Sequence, residues 1–372
     1  MPLNMLRACG LIVALVAAGS ICHAAHFEIV AELPVCPGNI TLTPDNRIIL
    51  SLHPFYQADN RVVELKKDGT LIPFPNREWN LGNGTGDKAL DSVLGVQCDA
   101  DGVVWMLDNG LRSGARPKVV AWNTRENRLE RIIRLEPPVV PDIAVAPDYA
   151  FINDLAVDLR HKAVFISHSA GMNESGIIVV NLATGSARRV LLGHESVLPQ
   201  NTDLVMNGRV LDFTMPDSGR LKFLIGVNPI ALDATDEWLY YGPMSGRSMY
   251  RIRSADLLNE ALTRETLASR VERYSEKPIC DGMSIDKAGN IYISDLEAGA
   301  VGVISSERNY RRLLVDRNIM WPESFSFGPD GLLYFTASKL HLTAPLNEGR
   351  NSSMPPYHVF RMKPLAEGIV GR

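Results

Sequence analysis

The sequence predicts an all-β chain folded as a six-bladed β-propeller, and three observations carry that prediction. One short phrase recurs six times, at Ile40–Leu50, Val96–Leu107, Leu155–Ile166, Ile230–Tyr241, Met283–Ile293 and Phe325–Phe335. Each copy is an apolar strand, an Asp/Gly-rich turn and a returning apolar strand, which is a hairpin repeated as a unit. The segments between copies are also short β-rich runs separated by Gly, Asn and Asp, and they leave little room for helices. No Pro/Gly/Ser-rich linker divides residues 25–372, which read as one domain.

The elements follow in order. Residues 1–24 read as a signal peptide: Arg7 supplies the positive charge, Leu11–Ala18 the apolar region and Cys22-His23-Ala24 the cleavage end. The apolar stretch falls short of the roughly 20 residues that a permanent span needs. Ile21 before Cys22 disfavours a lipoprotein box. The chain is therefore expected to be exported, to a periplasm or the extracellular space, without stable membrane insertion. Repeat starts at 38, 94, 153, 228, 281 and 323 are spaced by roughly 57 residues on average, as in propellers with long loops.

Between the copies, Arg61–Leu65 with Leu71–Phe74, Val119–Trp122 with Leu129–Leu135, and Ile177–Val180 with Ala187–Leu192 supply outer strands. Ser254–Leu267, rich in Ala, Leu and Glu, is expected to form a short helix. Asn201–Lys222 is expected to form a lid or a rim hairpin, and Pro137 to Pro147 a long connection. Either His358–Met362 or a strand near His26–Ala31 closes the last blade.

Composition removes several functions. The net charge is −4, from 38 basic and 42 acidic residues, and no basic tract suggests nucleic-acid binding. Beyond the signal peptide stand Cys36, Cys98 and Cys280, an odd number that excludes a fully paired framework and leaves a Cys36–Cys280 bridge as one alternative. No Cys/His spacing suggests zinc, no Gly-x-Ser-x-Gly elbow suggests serine catalysis, and no phosphate loop or dinucleotide fingerprint occurs, so no organic cofactor is expected.

The repeat also fixes one register position beside the propeller axis. The residue five before the aligned turn position is Gly38, Leu94, Asn153, Asn228, Asp281 and Glu323 in the six copies. Four consecutive blades thus offer two amides and two carboxylates at one height. Oxygen donors converging from separate strands suit a hard cation such as Ca²⁺ or Mg²⁺. Asp281 or Glu323 is then the candidate general base or catalytic carboxylate. The alternative is that Asn and Asp at these places simply cap strand starts. His53, His168 and His341 follow inner strands and are candidate ligand-binding residues at one mouth of the channel.

These residues carry a resemblance. Gly38-Asn39-Ile40-Thr41-Leu42-Thr43-Pro44-Asp45, Ser51-Leu52-His53, Ser92-Val93-Leu94-Gly95-Val96-Gln97 and Trp105-Met106-Leu107-Asp108-Asn109-Gly110 resemble the major royal jelly protein/Yellow family in its exported bacterial form. Phe151-Ile152-Asn153-Asp154-Leu155-Ala156-Val157-Asp158 and Leu239-Tyr240-Tyr241 before Arg251-Ile252 continue the match. The resemblance spans nearly all of residues 25–372 and implies a six-bladed propeller. Members of that family include secreted nutritional proteins, pigment-pathway proteins linked to dopachrome conversion, and insect salivary proteins that hold small amines.

A more distant similarity is to gluconolactonase and regucalcin-type lactonases, which bind a divalent metal through a Glu, two Asn and an Asp. It implies that Asn153, Asn228 and Asp281 match the two Asn and the Asp. Pro37-Gly38-Asn39 stands where the Glu-Gly-Pro phrase opens the first blade in those enzymes, and Glu323 supplies a carboxylate one blade away.

Two readings follow. The first is a metal-dependent hydrolase of a lactone or related small ester. The second is a secreted protein that binds a small aromatic or amine ligand. A dopachrome-type isomerase stays as a further alternative from the resemblance. A protein-interaction propeller would need a large apolar face that the sequence does not offer.

Overall fold

A computed structural model describes residues 26–56, 58–80, 88–141, 151–170, 174–215 and 219–372. The signal peptide expected over 1–24 lies outside them, as does the later part of the Pro137 to Pro147 connection. The described residues form six four-stranded antiparallel sheets and two small two-stranded hairpins. In the first five sheets chain order is spatial order, so each sheet is one meander. Their innermost strands are Pro37–Leu42, Val93–Cys98, Ile152–Asp158, Val227–Leu232 and Met283–Ile285. The sixth innermost strand, Pro322–Phe327, touches both the fifth and the first, and the ring is closed.

The repeated phrase is the inner hairpin of each blade. Ile40 pairs with Leu50, Leu155 with Ile166, Ile230 with Tyr241, Met283 with Ile293 and Phe325 with Phe335. Apolar residues on both faces of these strands are buried because each blade is covered by its two neighbours. The core accordingly falls into clusters that span adjacent blades. One joins Phe165 and Val179 to Tyr241 and Ile252, and another joins Trp105 and Val119 to Val164 and Ile178.

Both strands proposed for closure take part in it. The sixth sheet runs Phe27–Leu33, Tyr357–Met362, Leu333–Ala337, Pro322–Phe327 from rim to axis. Its outermost strand comes from the beginning of the described chain, which pairs in register Phe27 to Met362 through Leu33 to Tyr357. Closure in this way leaves neither end of the ring as an open edge.

Two local expectations are refined. The region 254–267 is two short helices, Ser254–Leu258 and Arg264–Ala268, because Thr263 starts a new helix by accepting the Thr266 N–H on its hydroxyl. The 201–222 region is a pair of rim hairpins, Val205–Met206 with Arg209–Val210 and Asp212–Met215 with Gly219–Lys222. Cys36, Cys98 and Cys280 are all buried and unbridged, so the Cys36–Cys280 alternative does not hold.

Phe360 is fully buried in the closing blade and stacks on Phe335 at 4.9 Å. Truncating Phe360→Ala is expected to cost about 3–5 kcal/mol. Ile29→Ala in the strand beside it, 43% exposed, is expected to cost under about 1 kcal/mol. Urea titrations of the two variants check the contrast.

Candidate functional site

The site begins with an irregularity in the inner strands. In five of the six inner hairpins the register slips at the axis: between Pro37 and Ile40, Val93 and Val96, Ile152 and Leu155, Val227 and Ile230, and Pro322 and Phe325. Each slip is a bulge, which places two successive residues near the axis instead of one. The backbone N–H groups freed by the bulge need acceptors, and hydroxyls of the second strand supply them. Ser51 Oγ accepts from Asn39 N at 2.9 Å and Ser167 Oγ from Asp154 N at 2.9 Å. In the fifth blade Ser294 Oγ accepts from Asp281 N at 2.7 Å, just before the inner strand begins.

This construction brings Asn153, Asn228, Asp281 and Glu323 together around one small space, with Leu94, Asn39, Asp154 and Gly282. The side chains are linked around the axis. Asn153 donates to Asn228 Oδ1, Asn228 Nδ2 donates to Asp281 Oδ1 at 2.6 Å, and Trp321 Nε1 donates to Asp281 Oδ2 at 2.6 Å. Gly282 is required by the close approach of the next blade, since a Cβ there would lie 2.1 Å from Glu323 O. Glu323 is buried, and its Oε2 has no hydrogen-bond partner.

Trp321 sits behind the ring with φ of 58°, a left-handed conformation that costs a bulky residue of order 1 kcal/mol or more. Its ring is fully buried, parallel to His341 and edge-on to Phe223. That packing and the bond to Asp281 hold the strained residue in place.

Above the ring opens a cavity of about 690 Å³, with Asn153, Asn228, Asp281 and Glu323 in its floor. Phe55, Phe151, Phe213, Phe223 and Trp321 give it aromatic walls, and Phe213 and Leu221 come from the rim hairpins. The other end of the channel is narrow. Gly371 and Arg372 line a space of about 40 Å³ there, and Arg372 pairs with Asp236 at 2.6 Å while its backbone oxygen accepts from Phe327 N.

The three histidines are separated. His53 lines the cavity, with Nε2 3.6 Å from Glu323 Oε1, and Nδ1 accepts from Phe55 N. Burial, aided by the Arg112 charge, lowers its pKa to about 3, so it is neutral. His168 is the last residue of strand Ala163–His168, wholly buried and outside the cavity lining, and its successor Ser169 faces the cavity instead. His341 lies in a 3-10 turn behind Trp321, also outside the lining, with both ring nitrogens unpartnered and its pKa lowered to about 4 by burial and by Arg209.

Burial also dominates the acids. It raises Asp281 to about 6 and, with the Asp281 charge, Asp154 to about 7. Glu323 is pushed well above its ordinary value by burial and then by the Asp281 and Asp154 charges; Ser338 nearby tempers the rise. Asp154 accepts from Asn39 Nδ2 at 3.2 Å and from Leu155 N. Asp154, Asn39, Trp321 and Arg112 were not singled out in the sequence. Only the first two carried a signal there, as immediate neighbours of ring positions.

Among the described residues no group of three or more His, Cys, Asp or Glu forms a metal site. Half of the ring donors are amides, which such a grouping does not include. The donor set itself fits a hard dication: four oxygen-bearing side chains, two of them carboxylates, and one carboxylate oxygen left without a partner.

The raised acids set a pH dependence. A carboxyl whose pKa is higher in the fold than in the unfolded chain binds its proton more tightly when folded. Its stabilising contribution is complete below the ordinary carboxyl pKa of about 4 and is lost as pH rises through about 7. The cation-free protein is thus expected to be less stable at pH 8 than at pH 5. Asp154→Asn is expected to shrink that difference, as measured by urea midpoints at the two pH values.

Comparison with known proteins agrees with this architecture. The chain matches the family described as Major royal jelly protein over residues 91–319. No curated protein sequence matches it. A gluconolactonase from Xanthomonas campestris is similar in structure, with a TM-score of 0.55 at 12% identity over 94% of this chain and 93% of that one. A calcium-binding protein, regucalcin, from Agrobacterium tumefaciens gives 0.55 at 14% identity over 94% and 98%. A PQQ-bound aldose sugar dehydrogenase from Streptomyces coelicolor gives 0.51 at 10% identity over 91% and 98%. At such identities these three share the fold alone. The family match extends over more than half of the residues, and the chain belongs to the major royal jelly protein family.

Proposed function

We propose that the protein is an exported hydrolase of a lactone or related small ester, working with a divalent cation of the Ca²⁺ or Mg²⁺ type. The observation that carries this reading is the convergence of Asn153, Asn228, Asp281 and Glu323 on the floor of a cavity large enough for a small substrate. Those four side chains would hold the cation, which supplies a Lewis acid for the substrate carbonyl. Export rests on the signal peptide read over residues 1–24, and the single domain on the absence of a linker.

The protein's own groups divide the remaining work. Both Asp281 oxygens are engaged, by Asn228 and by Trp321, so Asp281 is a fixed anchor and negative charge. Glu323 Oε2 has no hydrogen-bond partner, and with a cation beside it to hold the carboxyl ionised against its raised pKa, Glu323 is the group placed to take a proton from water. Neutral His53 lies beside its other oxygen and does not neutralise it. The aromatic walls hold an apolar substrate body and exclude bulk water, which strengthens the electrostatics of the floor.

A second reading has its own support. Acids beneath aromatic walls also suit a small aromatic amine, with the ammonium on the floor and the ring against the walls. In that reading the protein binds without turnover.

A panel of lactones assayed with and without chelator separates the two. Chelator-sensitive turnover is expected, and Glu323→Gln is expected to lower kcat by about 100-fold or more with little change in the thermal midpoint. Asp281→Ala is expected to abolish cation retention measured by elemental analysis. Absence of turnover on every lactone, together with saturable calorimetric binding of an aromatic amine, would overturn the hydrolase reading.

A further inference from the structure

The cavity lining carries basic residues as well as the acids of its floor. Two basic residues line it, Arg112 and Lys222. Lys222 is neutralised by Asp203 at 2.7 Å and bonds Asn201 at 2.7 Å. Arg112 has no ion-pair partner among the described residues. Among the described residues its one side-chain hydrogen bond is from Nη1 to Ala58 O at 2.9 Å. Asp91, whose charge acts on Arg112, accepts from the backbone N–H groups of Arg112 and Ser113 and from the Ser113 hydroxyl. Asp108 is spent on Lys118 and three backbone N–H groups.

A second guanidinium adds to the imbalance. Arg61 Nη1 donates to the same Ala58 carbonyl at 3.0 Å, so the two like charges are neighbours, and Arg61 Nε is also without a partner. Burial and the Arg61 charge lower the Arg112 pKa to about 10, which still leaves it charged at neutral pH. Leaving a charged donor unpaired in a partly buried place is costly unless an anion arrives to meet it.

The atoms of Arg112 without a hydrogen-bond partner among the described residues are Nε and Nη2, both of them enclosed, so a ligand reaches them only when the turn that carries Arg112 shifts. They form the lateral edge of the guanidinium, whose two parallel N–H bonds match the two oxygens of a carboxylate. Arg112 follows an inner-hairpin strand in a turn, beside the Pro54–Tyr56 turn that carries Phe55, 46% exposed. Loop residues of this kind shift at low cost to admit a ligand group.

We propose that Arg112 is a carboxylate-recognition residue, and that the cavity takes a molecule with an apolar or aromatic body and a free carboxylate. This rests on reading the cavity as the ligand site. The charge pattern then orients the ligand. The carboxylate is drawn to Arg112 and finds no matching donor pair at Asp154, Asp281 and Glu323, so the end remote from the carboxylate is presented to the floor. For the hydrolase reading the substrate class becomes a lactone or ester of a hydroxy acid that keeps a second, free carboxylate.

The test uses equilibrium binding, so it does not depend on turnover. Benzoate and its uncharged isostere benzamide are titrated into the full chain by calorimetry, followed by Arg112→Gln, Arg112→Lys and Asp203→Asn. Benzoate is expected to bind about tenfold or more tightly than benzamide, and Arg112→Gln to erase that preference. Arg112→Lys keeps the charge but loses the paired donors and is expected to retain only a small part of it. Asp203→Asn, which frees Lys222 instead, is expected to leave the preference in place.

Equal binding of the two probes, or a benzoate preference that survives Arg112→Gln in a variant with unchanged thermal midpoint, would overturn the proposal. If Arg112→Gln fails to fold, the Arg112→Lys titration decides it alone. A benzoate preference in the wild type that Arg112→Gln erases, with no lactone turnover, would defeat the hydrolase reading and leave this one standing.

Discussion

The site depends on one constraint: where an inner strand bulges at the axis, its unpaired backbone N–H groups must be satisfied in a dry interior. A regular strand would send alternate residues to opposite faces and leave the axis lined by one side chain per blade. The bulge instead delivers Asn153 with Asp154, and Glu323 with Ser324, as adjacent pairs. Hydroxyls at Ser51, Ser167 and Ser294 on the second strands make this affordable, each accepting the N–H that the ladder has lost. Ser324 reaches across the blade boundary, accepting from Ile40 N and donating to Asn39 Oδ1. The polar centre and the seam between the sixth and first blades are thus one hydrogen-bonded structure.

The electrostatics follow from that geometry. Three carboxyls, Asp154, Asp281 and Glu323, are enclosed near the axis, and among the described residues no lysine or arginine is paired with any of them. Burial is the first cause that raises all three; the Asp281 charge adds to the rise at Asp154 and Glu323, while the bonds from Trp321 and Asn228 restrain Asp281. A fold tolerates such a cluster either by keeping protons on it or by holding a cation in it. Burial, aided by the Arg112 charge, keeps the neighbouring His53 imidazole neutral. The cavity is therefore polarised along its length, with proton-holding acids at the floor and a guanidinium at the wall.

Much of this was legible because a repeat converts sequence position into spatial height. The repeat starts located five of the six inner strands to within a residue and the fifth to within two, and the four oxygen-bearing ring residues do meet. Legibility ended where the repeat ended. Asn39 and Asp154 were hidden because strict alternation would turn them away from the axis, and only the bulge turns them toward it. His53, His168 and His341 were grouped by chain position after inner strands. One follows a strand, one ends a strand and one sits in a turn, so their side chains part company. Trp321 and Arg112 come from loops, and the residues 371–372 that narrow the far end of the channel belong to no repeat. No periodicity could have announced any of them.

The ring position is a glycine in the first blade and a glutamate in the sixth, and the two are sterically linked. At Gly38 a Cβ would lie 2.9 Å from Ser51 Oγ, the hydroxyl that accepts from Asn39 N and donates to Leu94 O. A side chain there would press on the group that stabilises the first bulge. Thr336 meanwhile donates to Gly38 O from the sixth blade, at 2.6 Å, and draws the two blades together at this point. Glu323, entering from that neighbouring blade, reaches the same region beside His53 without disturbing Ser51. The glycine and the glutamate are two halves of one solution: the first blade keeps its bulge tightly bonded, and the sixth supplies the charge.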